Sequence, residues 1–201
     1  GTFTIETKSP SDRYKFDFFL ETYSEYNKPT NYVYEFENDM QGWTYFNASS
    51  NYIKAPWLHS TNATTLTEIH DSHSGKGHLM SITYRDGTAP NYTPIDNYLV
   101  SPIKIKASEN SKISFYACAN NYSLYREHFG LAISTAGNTS ASDFTTVQDW
   151  VIEDRTTWKQ YTVDLSAYAG QEIYVAIRHF FTAQEWEDSY YGYDYCALNI
   201  D

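Results

Sequence analysis

The chain is poor in the residues that hold very small or fibrous folds together. Its 201 residues include only two cysteines, Cys118 and Cys196, with nine glycines and six prolines. So few cysteines exclude a disulfide scaffold, and a chain this long buries enough core to need no covalent staple. Both lie in alternating apolar segments, where a free thiol packs as a small hydrophobe; a Cys118–Cys196 disulfide is the alternative. The sparse glycine and proline exclude collagen-like and low-complexity structure. No apolar run reaches membrane-spanning length, which argues against insertion by a helix, and no export leader is visible. Positive charge is scarce as well, with 14 Lys and Arg against 25 Asp and Glu and a formal net charge of −11. Such a chain repels phosphate backbones and anionic lipid, which argues against nucleic acid as a partner, and it recruits divalent cations.

What the chain has in excess is aromatic residues, at 18%, led by 20 tyrosines. Tyrosine suits half-buried strand positions, where the ring packs and the hydroxyl stays wet. From Tyr32 onward the apolar pattern has period two, the signature of strands. Tyr32, Tyr34 and Phe36 alternate, as do Met80, Ile82 and Tyr84, and then Ile113, Phe115, Ala117 and Ala119. Further sets are Leu131 and Ile133; Tyr161, Val163 and Leu165; Ile173, Val175 and Ile177; and Leu198 and Ile200. Stretches rich in Asn, Ser, Gly and Asp separate them, at 47–51, 71–77 and 137–142, and read as loops. Short strands with irregular loops and no helical period predict an all-β fold, a two-sheet antiparallel β-sandwich of the jelly-roll type, over residues 32–201. Residues 1–31 form an extension of ambiguous structure. Ser9 and Pro10 have the form of a helix start, yet Phe16, Phe18 and Leu20 alternate as in a strand.

From about Val33 to Asp201 the sequence resembles the cleaved adhesin domains, the non-catalytic modules of gingipain proteases and related haemagglutinins. Ordered motifs carry the resemblance. They begin with Phe36-Glu37-Asn38-Asp39 ahead of Gly42-Trp43, followed by His73-Ser74-Gly75-Lys76-Gly77 and Asp96-Asn97-Tyr98-Leu99-Val100-Ser101-Pro102. Next come Glu127-His128-Phe129, Ala141-Ser142-Asp143-Phe144, Trp158 with Thr162-Val163-Asp164-Leu165, Ile177-Arg178-His179, and Leu198-Asn199-Ile200-Asp201. The resemblance implies a calcium-braced jelly roll that takes part in adhesion, within a larger multidomain secreted or cell-surface bacterial protein. The family continues past the last motif with a second acidic residue, which has no counterpart after Asp201.

Read by residue type alone, Glu37-Asn38-Asp39 is a solvated strand end. Calcium takes six to eight oxygens from carboxylates and loop carbonyls. With the resemblance, Glu37, Asp39 and Asp201 become its expected ligands, because the first and last strands of a jelly roll often lie side by side. Asp96 is a further expected ligand, of the same site or of another, or else one half of a self-capping turn with Asn97. His70, His73 and His78 have no zinc-site spacing.

The motifs of hydrolases and nucleotide-binding enzymes are missing, so the chain is expected not to be an enzyme. Cys118 with His128 carries no mark of an activated thiol. Glu185, Glu187 and Asp188 crowd one acidic loop. Sequons at Asn47, Asn62, Asn91, Asn121 and Asn138 mark surface loops.

The ligand is expected on loop aromatics. Trp186, Tyr190 and Tyr191 stand in the densest cluster, with Trp57 and Tyr92 as neighbours, and Tyr122, Tyr125 and Arg126 offer further contacts. Rings of this kind serve a protein partner or stack a sugar, so the expected partner is a host or matrix protein, with a glycan held by a carbohydrate-binding module as the alternative.

Overall fold

The computed structural model describes residues 31–49, 56–63, 71–84, 94–119, 127–152, 157–182, 185 and 195–201. The chain divides into two compact units, Gly1–Val33 and Tyr34–Asp201. The second is all-β. Its strands are β1 (Thr44–Asn47), β2 (Trp57–His59), β3 (Leu79–Tyr84), β4 (Asp96–Val100), β5 (Ile105–Lys106) and β6 (Lys112–Ala119). They continue with β7 (Glu127–Ser134), β8 (Thr145–Ile152), β9 (Lys159–Asp164), β10 (Glu172–Phe180) and β11 (Tyr195–Ile200). Among the described residues three single-turn 3-10 helices interrupt them.

The strands form two antiparallel sheets. One has the order β1-β4-β10-β7-β8, with β5 also on β10, and the other the order β2-β3-β11-β6-β9. Strands far apart in sequence are neighbours, as the crossovers of a jelly roll require. The main core lies between the sheets. Inward residues alternate along each strand, as Phe115 and Ala117 do on β6, Phe129, Leu131 and Ile133 on β7, and Ile173, Val175 and Ile177 on β10. Two smaller apolar clusters lie apart from it. Met80, Ile82 and Ala197 pack with Ala63 and Leu58, while Tyr98, Val100, Ala132 and Ala176 pack with Phe46 and Phe144. Strand β3 therefore buries both faces, Leu79 toward the main core and Met80 toward the satellite.

One expected strand is not one. Tyr34 and Phe36 belong to no strand, and Phe36 takes φ +48°, which breaks one. Rings anchor this segment. Trp43 meets Tyr34 edge-on at 5.4 Å and Phe36 at 5.9 Å, and Phe36 sinks into the main core. Among the described residues no helix is long and apolar enough to cross a membrane.

Candidate functional site

The buried Phe36 ring fixes the backbone on which Glu37 stands. The Phe36 N–H donates to Gln41 Oε1 at 3.0 Å, and the Phe36 carbonyl lies 2.6 Å from Nε2 of the buried His59 on β2. Strand β2 pairs with β3, and β3 pairs with β11, bringing His59, Leu79 and Ile200 into one row. The loop entering β3 and the residue leaving β11 thus meet at the end of the five-stranded sheet.

Two carboxylates converge on that loop. Glu37 Oε2 accepts the Lys76 N–H at 2.7 Å, and Asp201 Oδ2 accepts the Ser74 N–H at 2.8 Å. Glycine is required at two points of the turn. Gly75 has φ +59°, and a Cβ there would overlap the Glu37 carboxylate; a Cβ on Gly77 would strike the carbonyls of Phe36 and Glu37. Burial raises the Asp201 carboxyl above its ordinary range, against hydrogen bonds from Ser74 and the nearby His73, and Glu37 raises it further by like-charge repulsion. The two acids are close enough to repel, and backbone N–H groups are what separates them. Among the described residues no group of three or more His, Cys, Asp or Glu side chains is arranged to hold a metal ion.

The other two expected ligands have partners of their own. Asp39 turns back to accept the Gln41 N–H at 2.7 Å. Asp96 belongs to the other sheet and forms a two-pronged pair with Arg178, Nε to Oδ1 at 2.6 Å and Nη2 to Oδ2 at 3.0 Å. That pair occupies both carboxylate oxygens of Asp96, which corrects one of its two expected places, the site of Glu37 and Asp201. Arg178 also covers the Phe180 ring at 4.2 Å. Burial and Asp96 raise the Tyr98 hydroxyl to about 12, with Arg178 opposing.

Trp57 is a second correction. It pairs with Ser81 across β2 and β3, and its ring is fully buried in the main core, so it lines no rim. Trp186, Tyr190, Tyr191 and Tyr92 lie outside the described residues, as do Tyr122, Tyr125 and Arg126. Cys118 is a buried free thiol, so no Cys118–Cys196 disulfide exists. Its neighbour is Asn199, while His128 stands on the other sheet between Asp149 and Glu185. His73 stacks on Tyr116 with centroids 3.5 Å apart, and His78 Nδ1 lies 3.1 Å from Ser72 Oγ.

Sequence reasoning missed the Arg178–Asp96 pair and the carboxylates around His128. Nothing in a sequence links Asp149 to His128 unless Thr145–Ile152 is first recognised as a strand.

Comparison with known proteins follows the same line. The Cleaved Adhesin Domain family profile matches residues 30–191. Hemagglutinin A of Porphyromonas gingivalis is 31% identical over 158 residues, covering 69% of this chain and 6% of that protein. Gingipain R1 of the same species is 33% identical over 122 residues, covering 54% of this chain and 7% of that protein. The chain thus spans a small fraction of the curated relatives it matches. Among solved structures, the K3 cleaved adhesin domain of Lys-gingipain from Porphyromonas gingivalis is similar at 25% identity and a TM-score of 0.58, covering 83% of this chain and 92% of that one. The K2 domain of Lys-gingipain is similar at 26% identity and a TM-score of 0.52, covering 80% and 87%.

Proposed function

The chain belongs to the cleaved adhesin domain family, and from that premise we propose that it is a calcium-braced adhesion module of a larger secreted or cell-surface bacterial protein, holding host or matrix proteins. The family is the non-catalytic part of gingipain-type proteins, so the function is binding. The observation that carries the calcium reading is the approach of Glu37 and Asp201 across the Ser74–Lys76 turn. Two acids held near each other at a loop, one with its carboxyl raised by burial and by the other, form a locus whose charge a hard cation would neutralise. Glu37 and Asp201 would supply the carboxylates, with backbone carbonyls and water completing the oxygen set, and Asp39 two residues from Glu37 as a further acid. When bound, calcium supplies charge neutralisation and cross-linking. The protein's own part is to hold the first loop, the turn before β3 and the end of β11 at one point.

Protein ligands are preferred to sugars because the rings placed at the six-stranded face are already engaged. Arg178 covers Phe180, His128 packs on Phe180 at 4.1 Å, and Tyr98 stacks on Phe46 at 4.8 Å. A pyranose needs a free ring face. A glycan array run beside immobilised plasma and matrix proteins tests the reading. Binding confined to intact proteins supports it, and binding to simple glycans competed by free sugar replaces it with a carbohydrate-binding module.

A further inference from the structure

The imidazole of His128, on β7, has a carboxylate at each nitrogen. Nε2 lies 2.8 Å from Asp149 Oδ2 on β8, and Nδ1 lies 2.9 Å from Glu185 Oε2, beyond the end of β10. A neutral imidazole has one N–H and one lone pair, so it satisfies one carboxylate and repels the other; only the imidazolium donates to both. The contrast with His179 is instructive. That ring meets one carboxylate, Glu127, and one hydroxyl, Ser81, which can donate, so a neutral ring suffices there.

The surroundings of His128 are well defined. Its side chain is 10% exposed and lies on the Phe180 ring. Asp149 faces it from β8, Glu185 from beyond the end of β10, and Arg178 of β10 acts electrostatically on Asp149. Glu185 is itself held by Thr182, since Oε2 also accepts the Thr182 N–H at 2.7 Å and the Glu185 N–H donates to Thr182 Oγ1 at 3.1 Å. Burial raises the Glu185 carboxyl, but hydrogen bonds from His128 and Thr182 outweigh it and hold the group below its ordinary range.

We propose that His128 is a proton-dependent clasp, which as imidazolium ties Asp149 of β8 and Glu185 to β7 and on losing its proton lets one of the two carboxylates go. The stabilising contact is present while the ring is charged and is lost as pH rises and the proton leaves. Arg178 beside it, paired with Asp96, stays positively charged as the pH rises.

Substituting an acid by its amide tests this. Glu185→Gln and Asp149→Asn each leave an amide that can donate to the bare ring nitrogen, making the clasp compatible with neutral imidazole. The ratio of unfolding constants, wild type over variant, is measured from urea titrations between about pH 5 and about pH 8. It should rise with pH by about tenfold, the effect of one charge-assisted hydrogen bond. A ratio that stays flat overturns the proposal. If the variants do not fold, imidazole nitrogen spectra of the wild-type protein decide. Both His128 nitrogens should carry hydrogen on the acid side, and a ring with a single N–H there overturns the clasp.

Discussion

His179 Nδ1, on the six-stranded sheet, lies 2.8 Å from Ser81 Oγ, on the five-stranded sheet, with both residues fully buried. The contact belongs to a longer chain. Asn47 donates to Asn97 Oδ1 at 2.9 Å, Asn97 donates to Ser81 Oγ at 3.0 Å, and His179 Nε2 lies 2.7 Å from Glu127 Oε2. The His179 ring and the Ser81 hydroxyl are both satisfied if the hydroxyl donates to the ring and the ring donates to Glu127. A polar interior of this kind is tolerated because its groups are paired, and it fixes how the two sheets face each other.

The chain predicts an order of destabilisation. His179→Ala leaves Glu127 without its partner in the interior and should cost about 3–5 kcal/mol. Ser81→Ala removes one hydroxyl and should cost about 1–3 kcal/mol. Urea midpoints of the two variants give the comparison, and equal losses would mean that Glu127 does not depend on the ring.

If the proposed site holds calcium in the folded protein alone, calcium should raise stability by mass action. At about one hundred times its dissociation constant the gain is about 2.7 kcal/mol, or roughly 5–10 °C in Tm for a domain of this size. Chelation of calcium-loaded protein should remove that gain, and Glu37→Ala should abolish the difference between loaded and chelated protein. Identical melting curves with and without chelator would end the calcium reading.

Three glycines separate strain from crowding. Gly170 has φ +82° with open space around its Cβ position, so Gly170→Ala should cost only the left-handed penalty, about 1 kcal/mol. Gly77 has the Phe36 and Glu37 carbonyls and the His59 ring against the same position, so Gly77→Ala should cost about 3 kcal/mol or more. Gly75→Ala adds φ strain to displacement of the Glu37 carboxylate, and it should also lower calcium affinity, which Gly170→Ala should leave unchanged. Chemical denaturation and calcium titration of the three variants check the ranking.

Much of the sandwich is legible in the sequence because its central strands alternate cleanly, as Ile173, Val175 and Ile177 do on β10. The edges are not. Strand β8 reads Thr-Thr-Val-Gln-Asp-Trp-Val-Ile, largely exposed and shifted in register opposite Leu131 and Ala132, so no period two survives in it. Strands β1 and β2 are four and three residues long, too short to carry a pattern. Tyr34 and Phe36 alternate for a different reason, since they pack against Trp43 instead of pairing in a sheet. At the site, the expectation that the first and last strands lie side by side does not hold, since β1 and β11 belong to different sheets; Glu37 and Asp201 meet instead through the loop ahead of β3. Asp96 misleads because its partner, Arg178, is 82 residues away in sequence. Trp57 misleads because a short strand flanked by polar residues looks like a loop.

Cys118 should be inert in the folded protein. Burial raises its thiol to about 12, against a weaker opposing hydrogen bond from Asn199, so almost no thiolate exists at neutral pH. Alkylation at about pH 8, near the ordinary thiol range, followed by peptide mapping should find Cys118 unmodified in native protein and fully modified in denaturant. Labelling of native protein at the rate of a free thiol would show that β6 opens readily.

The final prediction separates a core tryptophan from an interface tryptophan. Trp57 is fully buried between the sheets, so Trp57→Ala should cost about 3–5 kcal/mol of stability. Any loss of ligand binding by that variant should follow its unfolded fraction. Trp186 and Tyr190, in the ring-rich stretch before β11, are proposed to meet the ligand. Binding energy concentrates in a few large aromatic side chains, so replacing both by Ala should weaken binding by about 2 kcal/mol or more with the melting temperature held. Two measurements on each variant, a melting curve and a titration against whichever immobilised protein the array selects, give a two-by-two outcome. Stability lost at Trp57 and affinity lost at Trp186 and Tyr190 support the assignment. If the double variant melts early instead, those rings are part of the packing, and the ligand must be sought on another surface of the sandwich.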